Sequence, residues 1–232
     1  KMELAERIND HRTIAHDLFA MVCDDAATKG AEPILVGSII DCNKISVPII
    51  RELASGMVEA AKIARVAVIN GEIAELGDRV GGYGTHCHNW GAAVFWAARR
   101  EKMLSGRSIR PGHAVVALQE PGLRSNGLSL VRKVFSSEYG DAWHDEPFGD
   151  TTLGNAVLRP SLIYSPLIVE LTGGYSTQSR TAISGIAHVT GGGIPGKLGR
   201  VLSVSGYGVV LDDLFAPSEV MLHCQSLAGI GD

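Results

Sequence analysis

Thr13-Ile-Ala-His-Asp-Leu-Phe-Ala-Met-Val-Cys-Asp-Asp-Ala-Ala-Thr-Lys-Gly-Ala-Glu-Pro-Ile-Leu-Val-Gly-Ser-Ile-Ile-Asp-Cys42 is the stretch from which the fold follows. Ile14, Leu18, Met21, Val22 and Ala26 recur at helical spacing, and Gly30 stands where such a helix would stop. From Pro33 to Cys42 the composition changes to that of a strand. The spacing therefore predicts a helix over 13–29 and a strand over 33–42. Moving outward, 47–64 reads as a second helix, with Pro48 tolerated in its first turn, and 66–69 as a short buried strand ending at Asn70-Gly71. Residues 90–98 read as a strand with core on both faces. Alternation of this kind defines an α/β (α+β) chain.

Residues 101–112 are polar, basic and rich in turn formers, and predict a boundary between domains at 1–108 and 109–232. Beyond it, 113–118, 184–189 and 209–211 read as strands, and 128–139, 158–171 and 217–227 as helices.

Composition bounds the function. With 21 Lys+Arg against 25 Asp+Glu the net charge is −4, too little cationic surplus for a general nucleic-acid binder. No apolar run nears the roughly 20 residues of a membrane helix. Four separated cysteines without a C-x-x-C pair favour a reducing, cytoplasmic setting, and no leader-like segment follows Lys1. Glycine is the outlier: 28 residues, about 12% against a usual share of roughly 7%.

Those glycines cluster after apolar runs, beside acids. In Ile69-Asn-Gly-Glu-Ile-Ala-Glu75 a strand end delivers Glu72 and Glu75 at a turn, and such oxygen ligands suit Mg²⁺. On the first helix, Asp17, Asp24 and Asp25 lie about two turns apart. Asp24 and Asp25 directly follow apolar Met21, Val22 and Cys23, so an acid there needs a partner such as a cation. Gly122-Leu-Arg-Ser-Asn-Gly127 opens a helix, and His188-Val-Thr-Gly-Gly-Gly193 breaks a strand into three glycines. Both present backbone N–H groups of the kind that hold phosphate. Neither has Walker A spacing, and no G-x-G-x-x-G follows a strand. His86-Cys-His88 and His144-Asp145-Glu146 read as surface loops, because neither has the ligand spacing of a zinc site.

Taken together, His11-Arg-Thr-Ile-Ala-His-Asp-Leu-Phe-Ala-Met21 with Asp25, Gly30-Ala-Glu-Pro33, Asn70-Gly-Glu-Ile-Ala-Glu75, Ser125-Asn-Gly-Leu-Ser-Leu-Val-Arg132, Leu158-Arg-Pro-Ser-Leu-Ile-Tyr164 and His188-Val-Thr-Gly-Gly-Gly193 resemble, in family order, phosphoribosylformylglycinamidine cyclo-ligase, the aminoimidazole ribonucleotide synthetase. Selenophosphate synthetase and thiamine-monophosphate kinase belong to the same superfamily. The resemblance implies a two-domain fold whose N-terminal domain pairs with its twin in a dimeric β-barrel, followed by a C-terminal α/β domain. It implies ATP-driven ring closure of formylglycinamidine ribonucleotide in purine biosynthesis, with Mg²⁺, in a cytoplasmic homodimer. Its partner would be a small phosphorylated nucleotide precursor, with neither nucleic acid nor membrane involved.

By the same resemblance, Lys1 would end the family's Asp-Gly-x-Gly-Thr-Lys loop, which makes the chain an internal segment. Lys1, Asp17, Asp25, Gly71 and Glu72 would serve ATP, Asp25 and Glu72 the metal. Ser125, Asn126, Gly127, Thr190, Gly191, Gly192 and Gly193 would hold substrate phosphate. Arg124, the candidate for catalysis, stands where the family usually has His, and Asn70 where it has Gly. Arg binds phosphate but does not shuttle protons near neutrality. The departures raise two alternatives, a divergent phosphotransferase of the superfamily and a non-catalytic dimeric paralogue.

Overall fold

The computed structural model describes residues 1–231. Its elements are α1 (Met2–Ile8), α2 (Ile14–Ala27), β1 (Glu32–Cys42), α3 (Val47–Ala64), β2 (Ala67–Val68), β3 (Glu72–Glu75), β4 (His88–Ala97), α4 (Leu128–Tyr139), β5 (Pro147–Phe148), β6 (Thr151–Thr152), α5 (Leu153–Leu158), α6 (Ser165–Thr172), α7 (Gly193–Ser203) and α8 (Glu219–Ala228). The mixed α/β class expected from the sequence is the class observed.

β1 is the spine of a four-stranded sheet. Along one edge it pairs in parallel with β2 through Leu35 and Val36, then with β3 from Ile39 to Cys42. On the other edge β4 runs antiparallel to it over nearly its whole length. Between β2 and β3 the ladder is interrupted, and the Asn70 side chain fills the gap by accepting the Ser38 N–H at 2.8 Å. That contact gives Asn70 a backbone role which the family's usual Gly could not perform.

Period-2 alternation sends Val36, Ile40, Val94, Ala92 and Trp90 to one face, where α2 and α3 cover them with Leu18, Phe19, Cys23, Ala60 and Ala64. α3 buries Leu53, Gly56, Ala60 and Ala64 as one helical stripe. At Gly56 a Cβ would lie 1.9 Å from the Arg12 carbonyl oxygen, so only glycine permits this approach. The opposite sheet face stays open, with Ile39 and Phe95 exposed.

A second cluster joins Leu4, Ile14, Ile40 and Leu53 to Leu128, Val131, Phe135, Trp143, Leu153 and Val220. Core is thus shared across the polar segment 101–112.

Several expectations are corrected. Residues 113–118, 184–189 and 209–211 are not strands. Val116 and Val210 are each 82% exposed, and a β-prone run without a hydrogen-bonded partner does not become a strand. The expected helix 158–171 is not continuous: α5 ends at Leu158, residues 159–164 are not helical, and α6 starts only at Ser165, because Pro160 cannot continue α5 while Pro166 sits in the first turn of α6. Glu72–Glu75 is a strand and not a turn, since β1 offers it a free edge. α7 was hidden by its own glycines, although Ile194, Leu198 and Leu202 keep helical spacing.

Two histidine motifs are not surface loops. Cys87 and His88 are buried at the start of β4, and His144 is buried against Tyr83 and Trp143. Glu6 of α1 organises this region. Its carboxylate accepts the backbone N–H of Tyr83 at 2.8 Å and of His88 at 2.9 Å, with the His88 ring 3.4 Å away. The His88 ring in turn lies 4.9 Å, centroid to centroid, from buried His11.

Burial, then the neighbouring His88, push the His11 imidazole below its ordinary 6.5. Burial opposes ionisation of Glu6, but its bonds to His88 and Tyr83 win and hold it below its ordinary 4.5. Both shifts have the same sign for stability: neutral His11 and ionised Glu6 favour the fold, and acid removes each contribution. The chain is expected to lose stability as pH falls below about 6.5, and further below about 4.5, in urea titrations at stepped pH. His11→Gln flattens the first limb and Glu6→Gln the second. Unchanged pH profiles in both variants would refute the assignment.

Candidate functional site

The acids of α2 turn toward the second half of the chain. Asp17 is paired with Lys1 Nζ at 2.8 Å and accepts hydrogen bonds from the hydroxyls of Ser161 and, at 3.5 Å, Ser125. Two turns later Asp24, 3% exposed, accepts the Arg124 guanidinium at 2.9 Å and the backbone N–H groups of Tyr164 and Ser165 at 3.0 and 2.7 Å. Burial pushes its carboxyl up, against the opposing pull of Arg124. The cation that the sequence required for this acid is therefore Arg124. Asp25 is the exposed member of the three and bonds His188 Nδ1 at 2.7 Å.

The two glycine loops meet. A Cβ on Gly191 would fall 3.3 Å from the side-chain oxygen of Asn126, which places 125–127 beside 190–193. Gly127 (φ 80°) precedes α4 and Gly193 (φ 61°) begins α7, in left-handed conformations that suit glycine. Asn126, Gly127, Gly191, Gly192 and Gly193 are all exposed. Two helix starts without side-chain caps, on helices of 12 and 11 residues, thus lie side by side, with the Gly193 N–H already given to the Thr190 carbonyl at 2.8 Å. His188 leads directly into the second loop, so Asp25 stands close to it.

Other sequence candidates lie elsewhere. Glu72 shares the Ile39 register on the open sheet face, whereas α2 with Asp25 covers the opposite face. One chain therefore does not bring these two acids to a common ion. Gly71 is exposed at the edge where β3 begins. Gly82 and Tyr83, in the loop before β4, are tied to Glu6.

Among the described residues no group of three or more His, Cys, Asp or Glu side chains converges as a metal site. Mg²⁺ does not need one, because it commonly takes one or two carboxylates with phosphate oxygens and water. The exposed Asp25 carboxylate fits that pattern. A cleft of about 710 Å³ also opens between the halves. Asp10, Glu120, Asp150 and Glu219 face only Arg159 among the charged residues lining it, so the cleft is predominantly acidic and disfavours anions.

Sequence reasoning missed His188 and Ser161 as partners of these acids, and Glu120 as the second carboxylate on Arg124. His188 carried a signal, since it directly precedes the Val-Thr-Gly-Gly-Gly run. Glu120 and Ser161 carried none, because only folding brings Ser161 to α2 and Leu162 to Glu120.

A mixed sheet backed by helices, with paired glycine-rich helix starts beside an acid-bearing helix, defines a mixed α/β protein. Residues 1–88 match the AIR synthase related protein, N-terminal domain, and residues 110–226 match the AIR synthase related protein, C-terminal domain. The chain belongs to the AIR synthase related family. Over 224 residues it is 33% identical to phosphoribosylformylglycinamidine cyclo-ligase of Thermosynechococcus vestitus, covering 96% of this chain and 62% of that one. The protein of the same name from Methanothermobacter thermautotrophicus is 32% identical over 221 residues, covering 95% and 62%. A crystal structure of thiamine monophosphate kinase from Aquifex aeolicus aligns with a TM-score of 0.42 at 13% identity, over 72% of this chain and 50% of that one. The chain spans about three-fifths of the length of the curated relatives it matches.

Proposed function

We propose that this chain provides the ATP and substrate sites of a cyclo-ligase that converts formylglycinamidine ribonucleotide to aminoimidazole ribonucleotide, with release of ADP and phosphate. The observation that carries the reading is the meeting of the 125–127 and 190–193 loops beside Asp25, in a chain whose cyclo-ligase relatives match both halves. Phosphoryl transfer depends mainly on positioning and charge neutralisation, and these are what the loops and the acid supply.

In this reading Ser125, Asn126, Gly127, Thr190, Gly191, Gly192 and Gly193 hold the substrate phosphate through backbone N–H groups and short polar side chains. Asp25, oriented by His188, offers a carboxylate to Mg²⁺. When bound, that ion would neutralise charge on the ATP phosphates. Lys1 and Asp17 balance each other's charge and brace the nucleotide region. The formyl oxygen of the substrate takes the terminal phosphoryl group of ATP, and an internal nitrogen then attacks the same carbon and expels phosphate.

We assign residues 1–108 and 109–232 to the two domains. The open sheet face bearing Ile39 and Phe95 is the surface on which a second copy would complete a barrel, and Gly71 and Glu72 stand on that side. Glu72 then serves the metal and nucleotide from the dimer interface. The setting that suits this chemistry and four free cysteines is the cytoplasm.

Full-length protein containing this chain is expected to release ADP and phosphate only when formylglycinamidine ribonucleotide is supplied. Asp25→Ala lowers kcat about 100-fold or more, the scale of losing one charge-stabilising group. Turnover with a different acceptor and none with this ribonucleotide would identify a divergent phosphotransferase. ATP binding without turnover would identify the non-catalytic dimeric paralogue.

A further inference from the structure

Arg124 sits one residue before the proposed phosphate loop, yet its donors point elsewhere. Nη2 bonds Asp24 at 2.9 Å, while Nη1 bonds Glu120 at 2.7 Å and the Leu162 carbonyl at 3.2 Å. The other oxygen of Glu120 accepts the Leu162 N–H at 3.1 Å, and the other oxygen of Asp24 accepts the N–H groups that start α6. These bonds close a ring through three chain segments: α2, residues 120–124 and residues 162–165. Two carboxylates around one guanidinium already leave the site with a net negative charge. A phosphate brought to Arg124 would face that charge, with the guanidinium partly committed.

Asp24 also caps α6 from outside, since Tyr164, at the N-cap, makes no side-chain cap of its own. Ser125, next to Arg124, reaches Asp17. Asp17 and Asp24 are seven residues apart on α2, or about 10 Å along its axis. The start of the phosphate loop is therefore docked at two points on one helix, which fixes its direction as well as its distance.

We propose that Arg124 is a positioning residue, which holds the 125–127 loop against α2 and α6 through Asp24 and Glu120, and that it is not a ligand for phosphate. The proposal rests on the reading of 125–127 and 190–193 as the phosphate loops. The ion-pair ring itself does not depend on that reading.

Two measurements on the 232-residue chain separate the possibilities: amide hydrogen exchange, and titration with inorganic phosphate followed at the amides of Gly191, Gly192 and Gly193. Arg124→Gln and Asp24→Asn should each raise exchange about tenfold or more in all three segments of the ring. The double variant Asp24→Asn/Arg124→Gln should be no worse than the worse single variant, because the partners act as one unit. Phosphate binding weakens in step with the lost protection. Arg124→Lys keeps the charge but not the fork and should give an intermediate result, and it replaces Arg124→Gln if that variant does not fold. Loss of phosphate binding in Arg124→Gln or Arg124→Lys, with exchange in α2 and 162–165 unchanged, overturns the proposal. If phosphate binds to no form of the chain, the loop reading fails, and the exchange data still decide the ring.

Discussion

Phe135→Ala is expected to destabilise the chain by about 3–5 kcal/mol, the range for truncating a fully buried aromatic. Phe135 is 0% exposed and packs against Trp143, Tyr139 and His223, with ring centroids 5.4–6.4 Å apart. Its cluster includes Leu4, Ile14 and Leu53 from the first half, so the loss should not stay local. In urea unfolding, probes in α2 and α4 should shift together to the same lower midpoint. A shift confined to α4 would mean that the halves unfold independently and that the shared cluster contributes little.

The second large effect is expected at Asp17. Removing one partner of a buried ion pair typically costs about 3–5 kcal/mol, because the other charge is left buried alone. Asp17→Ala does this to Lys1, whose ammonium is already held below its ordinary value by burial, with Asp17 pulling the other way. The sign of the pH effect follows. Without Asp17 the depression of Lys1 deepens, and the penalty it brings fades as pH rises and the ammonium loses its proton. The deficit relative to the parent should therefore grow as pH falls below the ordinary lysine value of 10.5. Lys1→Met in the Asp17→Ala background should recover part of it. A deficit independent of pH would show that the lost bonds to Ser161 and Ser125 matter more than the charge.

Legibility in the sequence followed the range of the interactions. α2, β1, α3 and α4 could be read because each rests on periodicity within its own residues. Asp24 announced a buried partner by following three apolar residues. Which residue would answer could not be read, because Arg124 lies 100 positions away. That the sheet stands between Glu72 and Asp25 within one chain could not be read either, because no local pattern records it. Residues 113–118 show the reverse error, in which a short apolar run had strand composition and the partner strand was missing.

Local pattern and ordered motifs by themselves determined the α/β class, the main elements of the first half and the likeness to the cyclo-ligase family. Tertiary structure alone decided which partner each of these charged groups meets. It set the Arg124 guanidinium on Asp24 and His188 on Asp25, and placed the two glycine loops side by side. The division has a physical cause. Hydrophobic periodicity is written along the chain, whereas the partner of a buried charge is set by whichever donors folding delivers within about 3 Å.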